Sequence, residues 1–281
     1  MRKYRLLPLV LCLCMLFSGC EATVPEKTVT GYNNTVTMLD VGQATATLIE
    51  SDGQFCLIDA GKAGGSTDIV AYLYDRGVEK IDLLVLTHFH HDHTSQAMDV
   101  IRNFEIGTVL IPALTAENIP DTYFYKSLEE DCKNGYYQLE YAYKGWQFNV
   151  GQGRLTVVDD TYNSENINNT STATVFTLGD FTYVNMGDTE TDREKYIVDL
   201  LPENIDFLTA GHHGSKDATS ELLLDKLNPA FVGISCSQTN DYGHPHTQML
   251  KRLTDRNIPY AVTFEKGNIV YYIDTDTIQF E

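Results

Sequence analysis

A run rich in Leu and Val that ends in a cluster of histidines constrains the fold of this chain more than any other feature. Residues 81–86 (Ile-Asp-Leu-Leu-Val-Leu) predict a strand that is buried on both faces. The sequence Thr-His-Phe-His-His-Asp-His follows directly at 87–93. Imidazole and carboxylate groups are ligands for zinc, manganese and iron. Because open α/β sheets place their ligand sites at the carboxyl ends of strands, this loop is a candidate metal site.

All eight histidines of the chain fall into three short stretches. The first is the loop at 87–93, and the others are Gly-His-His-Gly-Ser at 211–215 and Tyr-Gly-His-Pro-His at 242–246. A single histidine is more often packed in a core or solvated, and one histidine-rich loop can arise by chance. Eight histidines confined to three loops indicate instead one shared site, built from distant parts of the chain.

Predicted strands and helices alternate along the rest of the chain. Helices expected at 65–76 and 95–102 flank the histidine strand, which argues for α/β layering rather than a β-sandwich. Two runs of strands, each followed by helices, predict a four-layer α/β/β/α sandwich over residues 35–281. Strands at 260–264 and 268–273 are expected to close the chain.

A Tyr-rich segment at 121–146 begins with a predicted helix. Packing in the core and on the sheets is the ordinary role for so many aromatic side chains. The alternative is that some of them line the mouth of a substrate site.

The N-terminus has the pattern of a targeting segment. A positively charged start precedes an apolar run at 6–17, which is too short to span a bilayer as an ordinary helix. The run ends in Phe-Ser-Gly-Cys, similar to a bacterial lipobox with Phe in place of the usual Leu. We predict a lipoprotein signal peptide at 1–19, a lipid on Cys20, a polar tether at 20–34 and an extracytoplasmic protein anchored to the bacterial cell membrane. An ordinary secretory signal with an incidental cysteine is the alternative.

The chain is strongly acidic, with a formal net charge of −19. Binding of long nucleic acids draws on Lys and Arg contacts to phosphates, so this charge disfavours a general polyanion binder. It counts less against a single phosphodiester held in a metal site.

The motif His-x-His-x-Asp-His resembles that of the metallo-β-lactamase superfamily. The stretches at 211–215 and 242–246, together with Met-Leu-Asp-Val-Gly-Gln-Ala at 38–44, are similar to the hydrolase domain of the ComEC family of competence proteins. They also resemble the phosphorylcholine esterases of the same superfamily. The resemblance covers about residue 36 to the C-terminus, without the membrane channel part of the ComEC family.

The resemblance implies a site for two divalent metal ions, with zinc and manganese as the candidates. His88 and His90 would bind the first ion, and Asp92 and His93 the second. Asp188, in a Met-Gly-Asp sequence, would bridge the two ions. Asp92 and Asp188 would also hold the attacking nucleophile in place.

The other histidine clusters would supply the remaining ligand of the second ion and the contacts to the substrate. His213 is the preferred ligand and His212 the residue that faces the substrate, although the sequence does not decide between them. A protonated His212 or Ser215 would take up developing negative charge. His244 would bond the substrate or leaving group, with a capping turn as its alternative role. Asp59 would orient the metal loop by hydrogen bonds, or else cap a helix or turn.

The chain departs from the lactamase and thioesterase members of the superfamily at one point. Those members carry a further histidine upstream of the Gly-Asp pair, whereas residues 163–171 contain several Asn and no His. The first ion would therefore have fewer protein ligands. This argues against a β-lactamase or a glutathione thioesterase.

These implications predict a metal-dependent phosphodiesterase or nuclease-like hydrolase. Two ions about 3.5–4 Å apart would activate a hydroxide for in-line attack on phosphorus. The substrate stays open among DNA, teichoic-acid phosphorylcholine and a small phosphodiester, and the sequence does not indicate the oligomeric state. The alternatives are hydrolysis of a carboxylic ester, thioester or lactam in the same fold, and a non-catalytic, metal-binding surface lipoprotein.

Overall fold

Two mixed β-sheets that pack face to face form the centre of the protein. The structure is a computed structural model, and it describes residues 34–62, 66–120 and 122–281. The predicted signal peptide, its lipidation site Cys20 and nearly all of the predicted tether lie outside these residues. The proposed division of the chain into three segments therefore stays a prediction.

The first sheet contains eight strands, which are β1 (Thr35–Met38), β2 (Thr47–Ser51), β3 (Gln54–Ile58), β4 (Lys80–Val85), β5 (Glu105–Pro112), β6 (Gln138–Ala142), β14 (Ile269–Tyr272) and β15 (Thr277–Phe280). Their spatial order is β15-β14-β1-β2-β3-β4-β5-β6. The pairs from β3 to β6 are parallel, and the others are antiparallel.

The second sheet contains seven strands, which are β7 (Gln147–Val150), β8 (Gly153–Val157), β9 (Thr174–Leu178), β10 (Phe181–Asn185), β11 (Phe207–Thr209), β12 (Phe231–Ile234) and β13 (Tyr260–Val262). Their spatial order is β13-β12-β11-β10-β9-β8-β7. The pairs from β10 to β13 are parallel, so each sheet has one parallel half.

Helices cover the outer face of each sheet. In chain order they are α1 (Ile69–Asp75), α2 (His91–Thr94), α3 (Ala97–Asn103), α4 (Tyr123–Lys133), α5 (Thr191–Ile197), α6 (Glu221–Leu227), α7 (Thr247–Asp255) and α8 (Thr263–Lys266). Short 3₁₀ turns occur at Ile167–Thr170, Val198–Leu200, Gly211–Gly214 and Ile273–Thr275. Helices α1, α3 and α4 pack on the first sheet, and α5, α6 and α7 pack on the second. The predicted four-layer α/β/β/α sandwich is confirmed.

The histidine strand β4 lies inside the first sheet and is buried on both faces. Leu83 and Val85 belong to the core between the two sheets, whereas Ile81 and Leu84 belong to the core under the helices. Because side chains alternate across a strand, both cores need apolar residues, and the run is continuous rather than alternating. In register, Leu84 lies opposite Leu57 of β3. The prediction of a strand that is buried on both faces is therefore confirmed.

Two predicted elements have different bounds in the structure, and one strand was not predicted. The helix expected at 65–76 begins only at Ile69, after its capping residue Asp68. The strand expected at 260–264 ends at Val262 and continues as α8. Strand β15 was not expected, because it is a short, largely exposed edge strand with little apolar pattern. Among the described residues, no helix has the length and apolar character that a membrane span requires.

The core between the sheets predicts a large effect of truncation on β4. Leu83 is completely buried, so Leu83→Ala should lower the free energy of unfolding by about 2–5 kcal/mol. Leu222 on α6 is half exposed, and Leu222→Ala should change it by no more than about 0.5 kcal/mol. Urea unfolding of both variants, followed by far-UV circular dichroism, measures the difference. Equal losses in the two variants would contradict the assignment of Leu83 to a packed core.

Candidate metal centre

The predicted site residues follow the carboxyl ends of strands, either in loops or in the short helix α2 and the 3₁₀ turn that begin there. Asp59 follows β3 and the histidine loop 87–93 follows β4, while Asp188 follows β10 and the pair 212–213 follows β11. Strands β3 and β4 are parallel neighbours in one sheet, and β10 and β11 are parallel neighbours in the other. The loops from both sheets therefore meet at one edge of the sandwich.

The loops bring together two groups of three potential metal ligands. The first group is His88, His90 and Asp188, and the second is Asp92, His93 and His213. Within each group one ligand atom per residue lies within 4.8 Å of the others. These six residues are the predicted metal ligands, and the structure places all six side by side.

Asp188 lies between the two groups. Its carboxylate is 3.2 Å from Nε2 of His93 and 3.8 Å from Nε2 of His88 and of His213. The same carboxylate is 3.8 Å from Nε2 of His212. A carboxylate with two oxygens in this position can contact ions on both sides, which is the bridging role predicted for it.

Three buried imidazole nitrogens of the site have no hydrogen-bond partner among the described residues. They are Nε2 of His88, of His93 and of His213. Buried polar atoms without a partner are rare and costly, so such a set calls for a ligand. Unprotonated imidazole nitrogens beside two carboxylates form a donor set that divalent ions such as zinc accept. The residues present therefore fit a divalent metal ion in each group.

The opposite ring nitrogens are held by the surrounding protein. Nδ1 of His93 lies 2.7 Å from Oδ2 of Asp59, and Nδ1 of His213 lies 3.0 Å from the carbonyl oxygen of Ser235. Carboxylate and carbonyl oxygens only accept from these rings, so each Nδ1 carries a proton, and Nε2 is the nitrogen that faces the ligand group. Asp59 also accepts from the backbone N–H and the hydroxyl of Thr87, which ties it to the start of the histidine loop. Asp59 occupies the orienting position predicted for it.

The charges of the site influence each other strongly. Burial opposes the ionised form of Asp188, but His93 and His213 outweigh it and hold the pKa of Asp188 well below its usual range. Burial also opposes a charged His93, yet Asp188 and Asp59 raise its pKa. Burial and the neighbouring His93 lower the pKa of His88. A buried anion surrounded by imidazoles is thus the electrostatic centre of the site.

Backbone conformation lets the loops approach closely. Gly187 has a φ of 53°, and a Cβ there would lie 2.9 Å from the side chain of Ser171 and 3.0 Å from that of Thr87. Only glycine fits at this contact, which brings Asp188 against the histidine loop. His212 and His213 both have left-handed backbone conformations, with φ of 48° and 54°. Such conformations are unfavourable for residues with a Cβ, and they occur mainly where function requires them.

A cavity of about 440 Å³ opens above the ligand groups. Besides His90, His91, Asp92, Asp188 and His213, the residues that line it are Gln43, Lys62, Asn168, His212, Tyr242 and His244. Two of the predicted substrate contacts, His212 and His244, are therefore in the cavity wall. Burial and the neighbouring histidines lower the pKa of His244 to about 4. Burial lowers the pKa of His212 as well, so both rings are neutral at pH 7, in contrast to the protonated His212 that the sequence analysis invoked.

Ser215 lies elsewhere than the sequence analysis expected. It is 3% exposed, and its hydroxyl accepts a hydrogen bond from the backbone N–H of Asp217. Its backbone N–H donates to the carbonyl oxygen of His212. The Ser215 side chain is thus engaged within its own turn and is absent from the cavity wall. The structure therefore does not place it where it could stabilise charge on a substrate.

Five cavity residues were missed as site residues by the sequence analysis. One of them, His91, lies inside the histidine loop but was given no role there. Gln43 and Tyr242 lie inside motifs that indicated the family resemblance, but neither has a chemistry that marks it in a sequence. Asn168 lies in the Asn-rich stretch that attracted notice only for its lack of histidine. No pattern in the sequence indicated that Lys62 belongs to the site.

None of the residues that line this cavity comes from the described part of the Tyr-rich segment 121–146. Tyr125 and Tyr137 of that segment are buried in the core, whereas Tyr123, Tyr136 and Tyr143 are exposed.

One family model and two known proteins are similar to this chain in sequence. A family model described as "Metallo-beta-lactamase superfamily" matches residues 39–232. "ComE operon protein 3" of Bacillus subtilis (strain 168) is 25% identical over 256 residues, which are 84% of this chain and 32% of that protein. "Recombination protein 2" of Haemophilus influenzae is 30% identical over 223 residues, which are 78% of this chain and 26% of that protein. The chain thus spans about a third or less of the length of these relatives.

A solved structure shares the fold. The metallo-beta-lactamase fold protein YhfI from Bacillus subtilis has a TM-score of 0.59 to this chain at 14% identity. The match covers 85% of this chain and 99% of that protein. At this identity the similarity concerns the arrangement of strands and helices alone.

The central position of Asp188 predicts its effect on metal binding. Asp188→Asn keeps the size of the side chain but removes the charge that both ligand groups share, so the purified variant should lose most of its bound metal. His246 lies next to the site but belongs to neither ligand group, and His246→Ala should keep the metal content of the unaltered protein. Elemental analysis after dialysis against zinc or manganese measures both. Full metal content in Asp188→Asn would contradict the shared role.

Proposed function

We propose that this chain, which belongs to the metallo-beta-lactamase superfamily, is a metal-dependent hydrolase. It would cleave phosphodiesters with two bound ions. The observation that carries the proposal is the pair of ligand groups on either side of the Asp188 carboxylate. Zinc and manganese are the proposed metals, because both accept imidazole together with carboxylate. His88, His90, Asp92, His93, Asp188 and His213 would hold them.

The metals, when bound, would lower the pKa of a water molecule and polarise a phosphoryl oxygen. The side chains of the site would supply the remaining functions. Asp92 is 30% exposed, and its ionised carboxylate can accept a hydrogen bond from the attacking water and hold it in line. His212 and His244, as neutral rings, can donate hydrogen bonds to oxygens of the substrate. Neutral donors aimed at developing negative charge stabilise it without having to change their own protonation.

The cavity wall favours phosphorus over carbon as the centre of attack. A phosphodiester carries two non-bridging oxygens that share a negative charge, so it needs several donors at once. Outside the ligand groups the wall offers three imidazoles, those of His91, His212 and His244. It also offers Lys62, which is the only Lys or Arg among its described residues. A carbonyl substrate would need fewer such donors. The name of one relative, Recombination protein 2, agrees with a substrate linked by phosphodiesters.

The charge of the chain narrows the substrate further. A formal net charge of −19 and a single Lys in the described cavity wall disfavour binding of a long nucleic acid, because its phosphates need several Lys or Arg contacts. We therefore favour a small phosphodiester, or one at the end of a chain, over processive degradation of DNA. Teichoic-acid phosphorylcholine stays among the proposed substrates.

Hydrolysis of bis-p-nitrophenyl phosphate by the full chain, purified in detergent with zinc or manganese, tests the proposal. Asp92→Ala should lower kcat/KM about 10²-fold or more, because the variant loses both a metal ligand and the group that orients the water. Asp192 is an exposed acid on α5, and Asp192→Ala should leave kcat/KM unchanged. Undiminished activity in Asp92→Ala would refute the assignment.

Competing substrates separate the proposal from its alternatives. Faster hydrolysis of nitrocefin, a lactone or a thioester than of the phosphodiester would indicate attack at carbon. Absence of both bound metal and hydrolysis would indicate a non-catalytic surface protein.

We further propose that a lipid on Cys20 anchors the hydrolase to the outer side of the cell membrane. The support is the charged start, the short apolar run and the Phe-Ser-Gly-Cys sequence that ends it. In a bacterial host supplied with an alkyne-labelled fatty acid, the unaltered chain should carry the label and sediment with membranes. Cys20→Ala should lose both properties, while Cys14→Ala, inside the apolar run, should keep them. A labelled Cys20→Ala variant would rule out this site.

A further inference from the structure

The loop that joins β1 to β2 contacts the third histidine cluster through one side chain, that of Gln43. Its Oε1 lies 3.2 Å from the backbone nitrogen of Ser237, and its Nε2 lies 3.2 Å from Nδ1 of His244. The neighbouring carbonyl oxygen of Ala44 accepts a hydrogen bond of 2.7 Å from the hydroxyl of Ser235. The loop is thus fixed against the end of β12, and the Gln43 amide bridges two other segments.

The bridge determines which way the amide and the imidazole are protonated. A backbone N–H such as that of Ser237 can only donate, so the amide atom that faces it is the oxygen of Gln43. The other amide atom is then the NH₂ group, which can also only donate. Nδ1 of His244 must therefore accept, and in a neutral ring the proton lies on Nε2. The backbone N–H of Ser237 thus sets the tautomer of His244 through two successive hydrogen bonds, with the Gln43 amide between them.

The His244 ring is also held in place from other directions. Asn240 accepts from the backbone N–H of His244 at 2.9 Å and donates to its carbonyl oxygen at 2.7 Å. The ring of Tyr242 stacks on the imidazole, with centroids 5.6 Å apart and an angle of 26° between the planes. His212 meets it edge-on, with centroids 5.5 Å apart. A ring confined in this way has one defined orientation in the cavity wall.

Nε2 is the atom of His244 that is left for a ligand. The ring lines the cavity, and no hydrogen-bond partner for Nε2 is present in the part of the chain that the structure describes. Nε2 is also not one of the fully buried nitrogens of the site, in contrast to Nε2 of His93 and of His213. His244 belongs to neither ligand group, so its free nitrogen faces the cavity as a donor rather than as a metal ligand.

We propose that Gln43 is a positioning residue, which holds His244 as the Nε2–H tautomer so that the ring donates a hydrogen bond to an oxygen of the bound phosphodiester. The inference rests on the proposed function and deepens it, because it assigns a donor and the residue that sets it. With the opposite tautomer, a lone pair on Nε2 would face the anionic substrate and repel it. Gln43 itself acts through His244.

A double-mutant cycle tests this indirect role. In Gln43→Glu, one carboxylate oxygen can still accept from Ser237, but the other can only accept from Nδ1–H and so selects the wrong tautomer. We expect kcat/KM for bis-p-nitrophenyl phosphate to fall about 10- to 100-fold, as for loss of one hydrogen bond to a charged group. His244→Ala should cause a similar fall. In the His244→Ala background, Gln43→Glu should change kcat/KM less than about 2-fold, because the residue through which it acts is gone.

Two further variants test whether a general disturbance of the loop explains the losses measured in the cycle. Gln43→Met keeps the length of the side chain but can neither donate nor accept, so it frees the tautomer and should cause a smaller loss than Gln43→Glu. Gln279→Glu is the same change at an exposed position on β15 and should have no effect on kcat/KM. Equal losses for Gln43→Glu in both backgrounds would show that Gln43 only supports the loop, and would overturn the inference.

The tautomer can be measured without catalysis. In zinc-loaded protein labelled with ¹⁵N-histidine, the His244 signals are those that disappear in His244→Ala. We expect an unprotonated Nδ1 and a protonated Nε2 in the unaltered chain, with the reverse in Gln43→Glu. A protonated Nδ1 in the unaltered chain would refute the assignment. If the chain hydrolyses no phosphodiester while the spectra show the expected tautomer, the proposed function fails and the Gln43–His244 relation stands.

Discussion

The rest of the site depends on the contacts between the carboxylate of Asp188 and the imidazoles around it. Asp188 is 2% exposed, and four imidazole nitrogens lie within 3.8 Å of it. A buried charge without compensation costs several kcal/mol, so its surroundings must supply positive charge or donors. Three of the four imidazoles present nitrogens that have no protein partner among the described residues. Cations between the carboxylate and these nitrogens would satisfy both requirements at once.

The fold holds this arrangement with rigid elements rather than with flexible loops alone. Parallel strands in each sheet end at the same edge, so a short turn after each strand suffices to reach the site. Hydrogen bonds to the carboxylate of Asp59, from Thr87 and from Nδ1–H of His93, connect the first sheet to the ligands. The N–H of Asp188 donates to Ser171, whose hydroxyl also lies 3.3 Å from Nδ1 of His88. His88, His93 and Asp188 are therefore each oriented by a residue outside the ligand set.

Local patterns in the sequence predicted the layers and pointed to the six candidate ligands that the fold brings together, because both depend on short-range features. A buried strand, a turn and the chemistry of imidazole are visible within a dozen residues. Gln43, Lys62 and Asn168 could not be found in this way, since their place in the cavity wall arises from contacts between segments far apart in the chain. Strand β15 was missed for a different reason. It is an exposed edge strand, so pairing rather than burial defines it, and pairing leaves little trace in composition.

The contrast between the acidic chain and the histidine-rich wall of its cavity explains how an anionic substrate could approach. The net charge of −19 repels anions at a distance, but salt screens such fields beyond about 10 Å. Inside the cavity, burial lowers the pKa of His244 to about 4 and lowers the pKa of His212 as well, so both rings act as neutral donors at pH 7. Attraction for a phosphate would then come from the metals and Lys62, at short range only. Under the proposed function, such a site would favour a single phosphodiester in the cavity over a polyanion that lies along the surface.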